Sequence, residues 1–235
     1  MPRNRGAWLR RCLPTTFEMH SGIYKTIAQW IPEKSRVLDL GAGDGAFLEY
    51  LIQARKAGGE GVEKDPALVA RCVERGLVVH QGDIADGLDQ YADGKFDFVL
   101  LLGTFQELVS PANILQEAFR VGRRVVVAHT NFAHFSVRLQ VLLRGRTPMT
   151  RFLPSHWYHT QNLHFFSILD FQDFCREAGI REVNHTYFNA HGAVQFLPNL
   201  RAEEAVSLLE ADAISQRSVN VERGKTKLKP IKFEP

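Results

Sequence analysis

Cysteine, methionine and tryptophan are scarce in this chain, three of each among 235 residues. Cys12, Cys72 and Cys175 lie far apart and form no C-x-x-C pair, so the spacing offers neither a disulfide framework nor a zinc site. No apolar stretch reaches the roughly 18 uncharged residues that a membrane-crossing helix requires, and no membrane partner is expected. The basic segment from Met1 to Pro14 has no apolar run behind its charges, as a secretory signal would, and the expected location is therefore the cytoplasm. Acidic residues are thin at both ends: residues 1–16 carry four arginines and no acid, and residues 217–235 carry six basic against two acidic side chains. Because the whole chain is only +3, the middle is left at −5. The expected organisation is a basic extension over 1–16, one domain over 17–216 and a basic, disordered tail over 217–235. Solvated ends explain such charge without nucleic acid, which is not an expected partner.

What is present is an alternation of two periods. Ile23, Ile27, Trp30 and Ile31 have helical spacing, stopped by Pro32, and the apolar run Arg36 to Leu40 then enters the glycine-rich turn Gly41-Ala42-Gly43-Asp44-Gly45. Phe47, Leu48, Leu51 and Ile52 resume the helical period. Short strands are expected at 59–63, 77–80, 96–102 and 124–128, with helices opened by Pro66 and by the Ser110-Pro111 pair. The near-continuous apolar character of 96–102 fits a strand buried on both faces. Beyond residue 130 the rhythm breaks into an insert, 131–166, with seven aromatics interleaved with Arg138, Arg144, Arg146 and Arg151. Phe135, Leu139, Leu142 and Leu143 mark one helix within it. Ser167 to Asp170 has the form of a capping box opening a further helix, with Gly179 just past its end. Residues 180–188 and 193–197 read as a last antiparallel pair of strands, and Ala205, Val206, Leu208 and Leu209 as a final helix. The expected fold is α/β: a Rossmann-like, doubly wound, mostly parallel sheet of about seven strands, with an antiparallel edge and a helical and loop insert after the fifth strand.

In such sheets ligands bind beyond the carboxyl ends of the strands where strand order reverses, and the first glycine turn lies there. Glycines admit close backbone approach, and the helix behind them offers unsatisfied N–H groups. Here Gly41, Gly43 and Gly45 follow G-x-G-x-G, not the dinucleotide spacing G-x-G-x-x-G, which counts against NAD. Asp39 stands two residues before the first glycine, where a carboxylate repels a pyrophosphate but suits an ammonium group. Glu63 ends the second strand, placed to accept from both hydroxyls of a ribose, and Asp83 ends the third, placed to accept from an adenine amino group. Lys64 and Ile84, the residues after two of these acids, are grouped with them. An ammonium, a diol and an exocyclic amine occur together in S-adenosylmethionine (SAM) and S-adenosylhomocysteine, the expected cofactor.

The segment Val37-Leu38-Asp39-Leu40-Gly41-Ala42-Gly43-Asp44-Gly45 resembles motif I of class I SAM-dependent methyltransferases. Arg120 to Arg124, Asn131-Phe132, Val137 to Gln140, Leu142 to Arg146, Pro148, Trp157-Tyr158 and Asp170-Phe171 are similar, in the same order, to stretches of the methionine-biosynthesis protein MetW family, over about residues 23–210. Ala42, Phe135 and His129-Thr130 depart from that family's frequent Cys, Trp and Phe-Pro. The resemblance implies a role in methionine biosynthesis alongside homoserine O-acyltransferase, in making acyl-homoserine.

Methyl transfer from a sulfonium disperses charge, so positioning and exclusion of water can supply much of the rate and a base is optional. Gln106 is the foremost catalytic candidate because it follows a strand end that faces the expected ligand; Glu107, His129, Asn131, His156, Trp157 and Tyr158 are others. His156, His159 and His164 lack companion acids or cysteines, so no metal is expected. Two readings follow. Either the chain is a SAM-binding partner of the acyltransferase, with the insert's arginines and aromatics at the interface, or it is a SAM-dependent methyltransferase of a small molecule lodged against the insert.

Overall fold

The computed structural model describes residues 21–211, so the basic extension and tail expected from the sequence lie outside the described residues. The described residues begin with helix α1 (Ser21–Trp30), then strand β1 (Arg36–Leu40), α2 (Ala46–Arg55), β2 (Gly58–Glu63), α3 (Pro66–Glu74) and β3 (Val78–Gln81). A 3-10 turn (Ile84–Asp86) leads to β4 (Phe96–Leu102), and a second (Phe105–Glu107) leads to α4 (Pro111–Val121) and β5 (Gly122–Thr130). After α5 (Phe135–Arg144) and α6 (Ile168–Glu177) come β6 (Ile180–Asn189), β7 (Gly192–Ala193), the short α7 (Pro198–Arg201) and β8 (Glu204–Ala211).

The eight strands form one sheet in the order β3-β2-β1-β4-β5-β8-β6-β7. The first five run parallel, while β8 is antiparallel to both β5 and β6. Strand residues alternate between two cores because successive side chains leave opposite faces. Val37, Phe98, Leu100, Val126 and Val206 meet Ile23, Ile27 and Ile31 of α1 and Phe47 and Leu51 of α2. Leu38, Leu40, Val99, Leu101 and Val127 meet Ile114, Leu115 and Ala118 of α4 and Phe171 and Cys175 of α6. The sheet is thus covered on both faces, as the apolar runs imply.

One expectation is corrected. Residues 205–209 are a central strand, β8, not a final helix. All of Glu204 to Leu209 are buried, and a strand walled in on both faces needs apolar residues at nearly every position. Ala205, Val206, Leu208 and Leu209 therefore satisfy the i, i+3, i+4 pattern by chance. The hairpin at the edge is present, but its second strand is only Gly192–Ala193, and β8 raises the strand count among the described residues to eight. The capping box of α6 is formed as expected: Ser167 Oγ accepts from the Asp170 N–H at 3.2 Å, and the Asp170 carboxylate accepts from the Ser167 N–H at 2.8 Å.

Asn131 anchors the insert at its root. This residue is fully buried, its amide nitrogen donates to the carbonyls of Asn199 (3.1 Å) and Ala202 (2.8 Å), and its amide oxygen accepts from the N–H groups of Ala133 (3.1 Å) and Ile168 (3.4 Å). The far end of the insert is tied to the second 3-10 turn, where the Gln106 carbonyl accepts from the N–H groups of Leu163 (2.9 Å) and His164 (3.1 Å).

Candidate functional site

Strand order reverses between β1 and β4: the chain runs outward from β1 to β2 and β3, then returns to β4 on the other side of β1. The glycine turn leaves β1 at that point. Gly41, Gly43 and Gly45 all have positive φ (83°, 58° and 78°), a backbone region costly for residues with a Cβ. Gly41 is also sterically confined, since a Cβ there would stand 2.6 Å from Thr104 Oγ1. Thr104 Oγ1 donates to the Leu40 carbonyl at 3.0 Å, so the turn after β4 rests directly on the turn after β1. At Gly45 a Cβ would meet Leu77 Cδ1 at 2.4 Å, so the turn packs closely against the residue that precedes β3.

The three acids stand at the carboxyl ends of three adjacent strands. Register pairs Asp39 with Gly61 on β2 and Glu63 with Gln81 on β3, and Asp83 follows two residues later. Asp39 is 3% exposed and its Oδ1 has no hydrogen-bond partner. Burial, reinforced by the Glu63 carboxylate, pushes its pKa up to about 7. Glu63 is buried too, and its two oxygens accept from the N–H of Gly43 at 2.9 Å and of Asp65 at 2.9 Å. Asp83 accepts from the Ala85 N–H at 2.9 Å and so caps the 3-10 turn, with its side chain at the surface. Lys64 is exposed beside Glu63, whereas Ile84 is buried in the core cluster that also holds Leu40 and Val62 of β1 and β2.

A carboxylate has about four acceptor sites, so Glu63 and Asp83 keep capacity after these backbone bonds. Asp39 differs, because a buried carboxyl oxygen without a donor carries a desolvation cost that an arriving cation or N–H group would relieve. An acidic lining beside glycine backbone fits a ligand bearing ammonium and hydroxyl groups and disfavours a phosphate.

On the other flank, the Gln106 side chain is turned inward. Its Oε1 accepts from the Thr130 N–H (2.9 Å) and hydroxyl (2.8 Å), and it is buried. The amide thus ties the end of β4 to the end of β5, its Nε2 donating to the Thr130 carbonyl at 3.4 Å. His129 is buried against the rings of Phe166 and Phe171, 4.8 Å from each, and burial lowers its pKa to about 4. Its Nε2 lacks a partner. Glu107 is half-buried, and its pKa is raised mainly by burial, with Lys64 opposing. Trp157, Tyr158 and His156 are exposed, with the His156 and Tyr158 rings stacked at 5.1 Å.

A cavity of about 420 Å³ opens at the opposite, amino end of the sheet, between Pro32, Ser35, Asp97, Arg123, Arg124 and Glu210. Its charges are largely satisfied by the ion pairs Arg36–Asp97 (3.2 Å) and Arg124–Glu210 (2.6 Å), and it lies away from the strand reversal.

The family model for the methionine biosynthesis protein MetW matches residues 22–209, almost the whole described domain. The chain belongs to the MetW family. A relative from Rhodopirellula baltica, the bifunctional methionine biosynthesis protein MetXA/MetW, is 28% identical over 77% of this chain. The match spans only 31% of that relative's length. Among solved structures, a SAM-dependent methyltransferase from Thermotoga maritima superposes with a TM-score of 0.60 at 22% identity, covering 81% of this chain and 88% of that one. One from Mesorhizobium loti gives a TM-score of 0.60 at 14% identity, covering 81% and 98%. At these identities the likeness establishes the class I methyltransferase fold for this MetW-family chain.

Three supports of the glycine turn escape sequence reading. Thr104 rests on the glycine turn from 64 residues away. Arg75 donates to the Asp44 carbonyl (2.9 Å) and carboxylate (3.0 Å) and to Glu49 (2.6 Å), bracing the turn from behind α3. Cys72 is buried with its Sγ 3.3 Å from the Gly43 carbonyl. None of these has a local signal. Asp65 did have one: Asp-Pro reads as an N-cap and N1 pair, and its carboxylate indeed accepts from the Ala67 N–H at 2.8 Å.

Proposed function

We propose that this MetW-family chain binds SAM or S-adenosylhomocysteine at the carboxyl ends of β1, β2 and β3, and acts with homoserine O-acyltransferase in forming acyl-homoserine. The observation that carries the ligand assignment is the buried Asp39 carboxyl, its Oδ1 without a partner, beside three positive-φ glycines. In this reading Asp39 receives the ammonium group, Glu63 the ribose hydroxyls and Asp83 the adenine amine, while Gly41 and Gly43 allow close backbone approach and Lys64 and Ile84 border the purine. The partnership is supported by the Rhodopirellula relative, whose name joins a MetXA unit to a MetW unit on one polypeptide. On this reading MetXA is the acyltransferase, and the MetW unit acts beside it.

Titration of the chain with SAM tests the ligand assignment. Asp39→Ala and Glu63→Ala are each expected to weaken binding at least about tenfold, the loss of one charge-assisted contact. Co-purification with the acyltransferase, and acyltransferase activity with and without this chain, tests the partnership; an acyltransferase that neither binds nor responds contradicts it.

A second reading, a methyltransferase of a small molecule, is favoured by Glu107. Its half-buried carboxyl has a raised pKa, bringing it nearer the range useful to a general base. SAM supplies a sulfonium methyl group for in-line displacement, and Glu107 would hold the acceptor's proton. Formation of S-adenosylhomocysteine in extract, lost in Glu107→Gln, is the outcome that supports this reading over the first.

A further inference from the structure

Helix α5 is built inside out. Val137 faces inward and packs with Phe152 and Leu153, and Gln140 exchanges two hydrogen bonds with the backbone of Met149 (3.1 and 3.2 Å), so the inner face alone secures the helix. Phe135, Leu139 and Leu142, at i, i+4 and i+7, form the opposite stripe, flanked by Leu143. They are 52%, 50%, 80% and 72% exposed. An ordinary surface helix turns such a stripe to the core; here it meets water, and the sequence pattern that announces the helix is the face that folding leaves uncovered.

Charge narrows what covers it. Residues 131–166 hold four arginines and no aspartate or glutamate. Arg151 pairs with Glu203, while Arg138, Arg144 and Arg146 are exposed around α5. An apolar centre with an arginine rim complements an apolar surface ringed by carboxylates. A second copy does not fit in the usual two-fold arrangement, which sets identical patches against each other and would oppose the same arginines. A bilayer is poorly matched by a ten-residue helix, about 15 Å long, whose inner face is already committed to protein.

We propose that the outward stripe of α5 is the centre of a docking surface for a folded partner protein with an apolar patch and a carboxylate rim. This rests on the reading given above, under which that partner is homoserine O-acyltransferase. Four side chains do not make a whole interface; they are the anchors around which one is built. Their helix is already ordered by Val137, Gln140 and the Asn131 hub, so docking need not pay for folding it.

The test uses the full chain and the acyltransferase of the same organism in calorimetric titration. Leu139→Glu with Leu142→Glu is expected to weaken binding at least about tenfold, while SAM titration and melting midpoint stay as in the wild type. Arg146→Glu, which leaves the stripe intact, is expected to slow association and flatten its salt dependence. A double variant that binds as tightly as wild type overturns the docking face and leaves the partnership standing. A wild type that binds no acyltransferase overturns both. Sedimentation that shows stripe-dependent self-association, or flotation on phosphatidylserine vesicles lost in the double variant, overturns the proposal in favour of a second copy or a membrane.

Discussion

At the scale of single residues, Asp39 has opposite effects on stability and on binding. Its carboxyl is protonated in the fold up to about pH 7, well above the ordinary aspartate value. The native state therefore holds a proton that the unfolded chain releases near pH 4, and stability declines as pH rises from there through about 7. Asp39→Asn removes that decline, so its melting midpoint is expected to exceed wild type at pH 8 and to match it near pH 4, as followed by circular dichroism. The same variant is expected to lose the pH dependence of SAM affinity, which in the wild type rises between roughly pH 6 and 8 as the carboxylate forms. Asn131 has no such duality. Asn131→Ala leaves two N–H groups and two carbonyls without their amide partner in the protein interior, and urea unfolding is expected to show a loss of about 3 kcal/mol or more. Among these residues the acids at 39, 63 and 83 were legible in the sequence, because a residue at a strand end is placed by the strand itself. The direction of Gln106 was not, since its bonds to Thr130 depend on how β4 and β5 lie together.

At the scale of elements, the glycine turn and the helix caps set where the site's walls stand. Gly41→Ala combines a φ of 83° with a Cβ 2.6 Å from Thr104 Oγ1. A loss exceeding about 2 kcal/mol in denaturant unfolding is expected, and adding Thr104→Ala should restore only part of it, because the backbone strain remains. The capping box of α6 is a milder support: Asp170→Ala is expected to cost about 1 kcal/mol by the same measurement. Helices with caps and strands with flanking turns were readable because their signals are local. β8 was misread for a physical reason, as a strand buried on both faces, with Ala205, Val206, Leu208 and Leu209 on either side of Ser207, carries no period of two to betray it. The stripe of α5 was read correctly as a helix, but which side meets water was decided by Val137 packing on Phe152 and Leu153, a contact no local pattern encodes.

At the scale of the molecule, the sheet gathers Asp39, Glu63 and Asp83 on one edge and sends the insert out from the end of β5. The Gln106 side chain bonds to Thr130 and its carbonyl to Leu163 and His164, so one residue joins the wall of the site to the insert that carries α5. Fold and family were legible because the alternation of strands, glycine turn and acids spans most of the domain, and the family match over residues 22–209 agrees. A partner surface was less so, for it depends on exposure. The most direct test of the whole is isothermal titration of SAM into wild type, Asp39→Asn and Glu63→Gln at pH 8. Measurable binding by the wild type, weakened at least about tenfold in each variant, is expected; wild type that takes up no SAM, or variants that bind it equally well, would contradict the assignment of an adenosyl ligand to these strand ends.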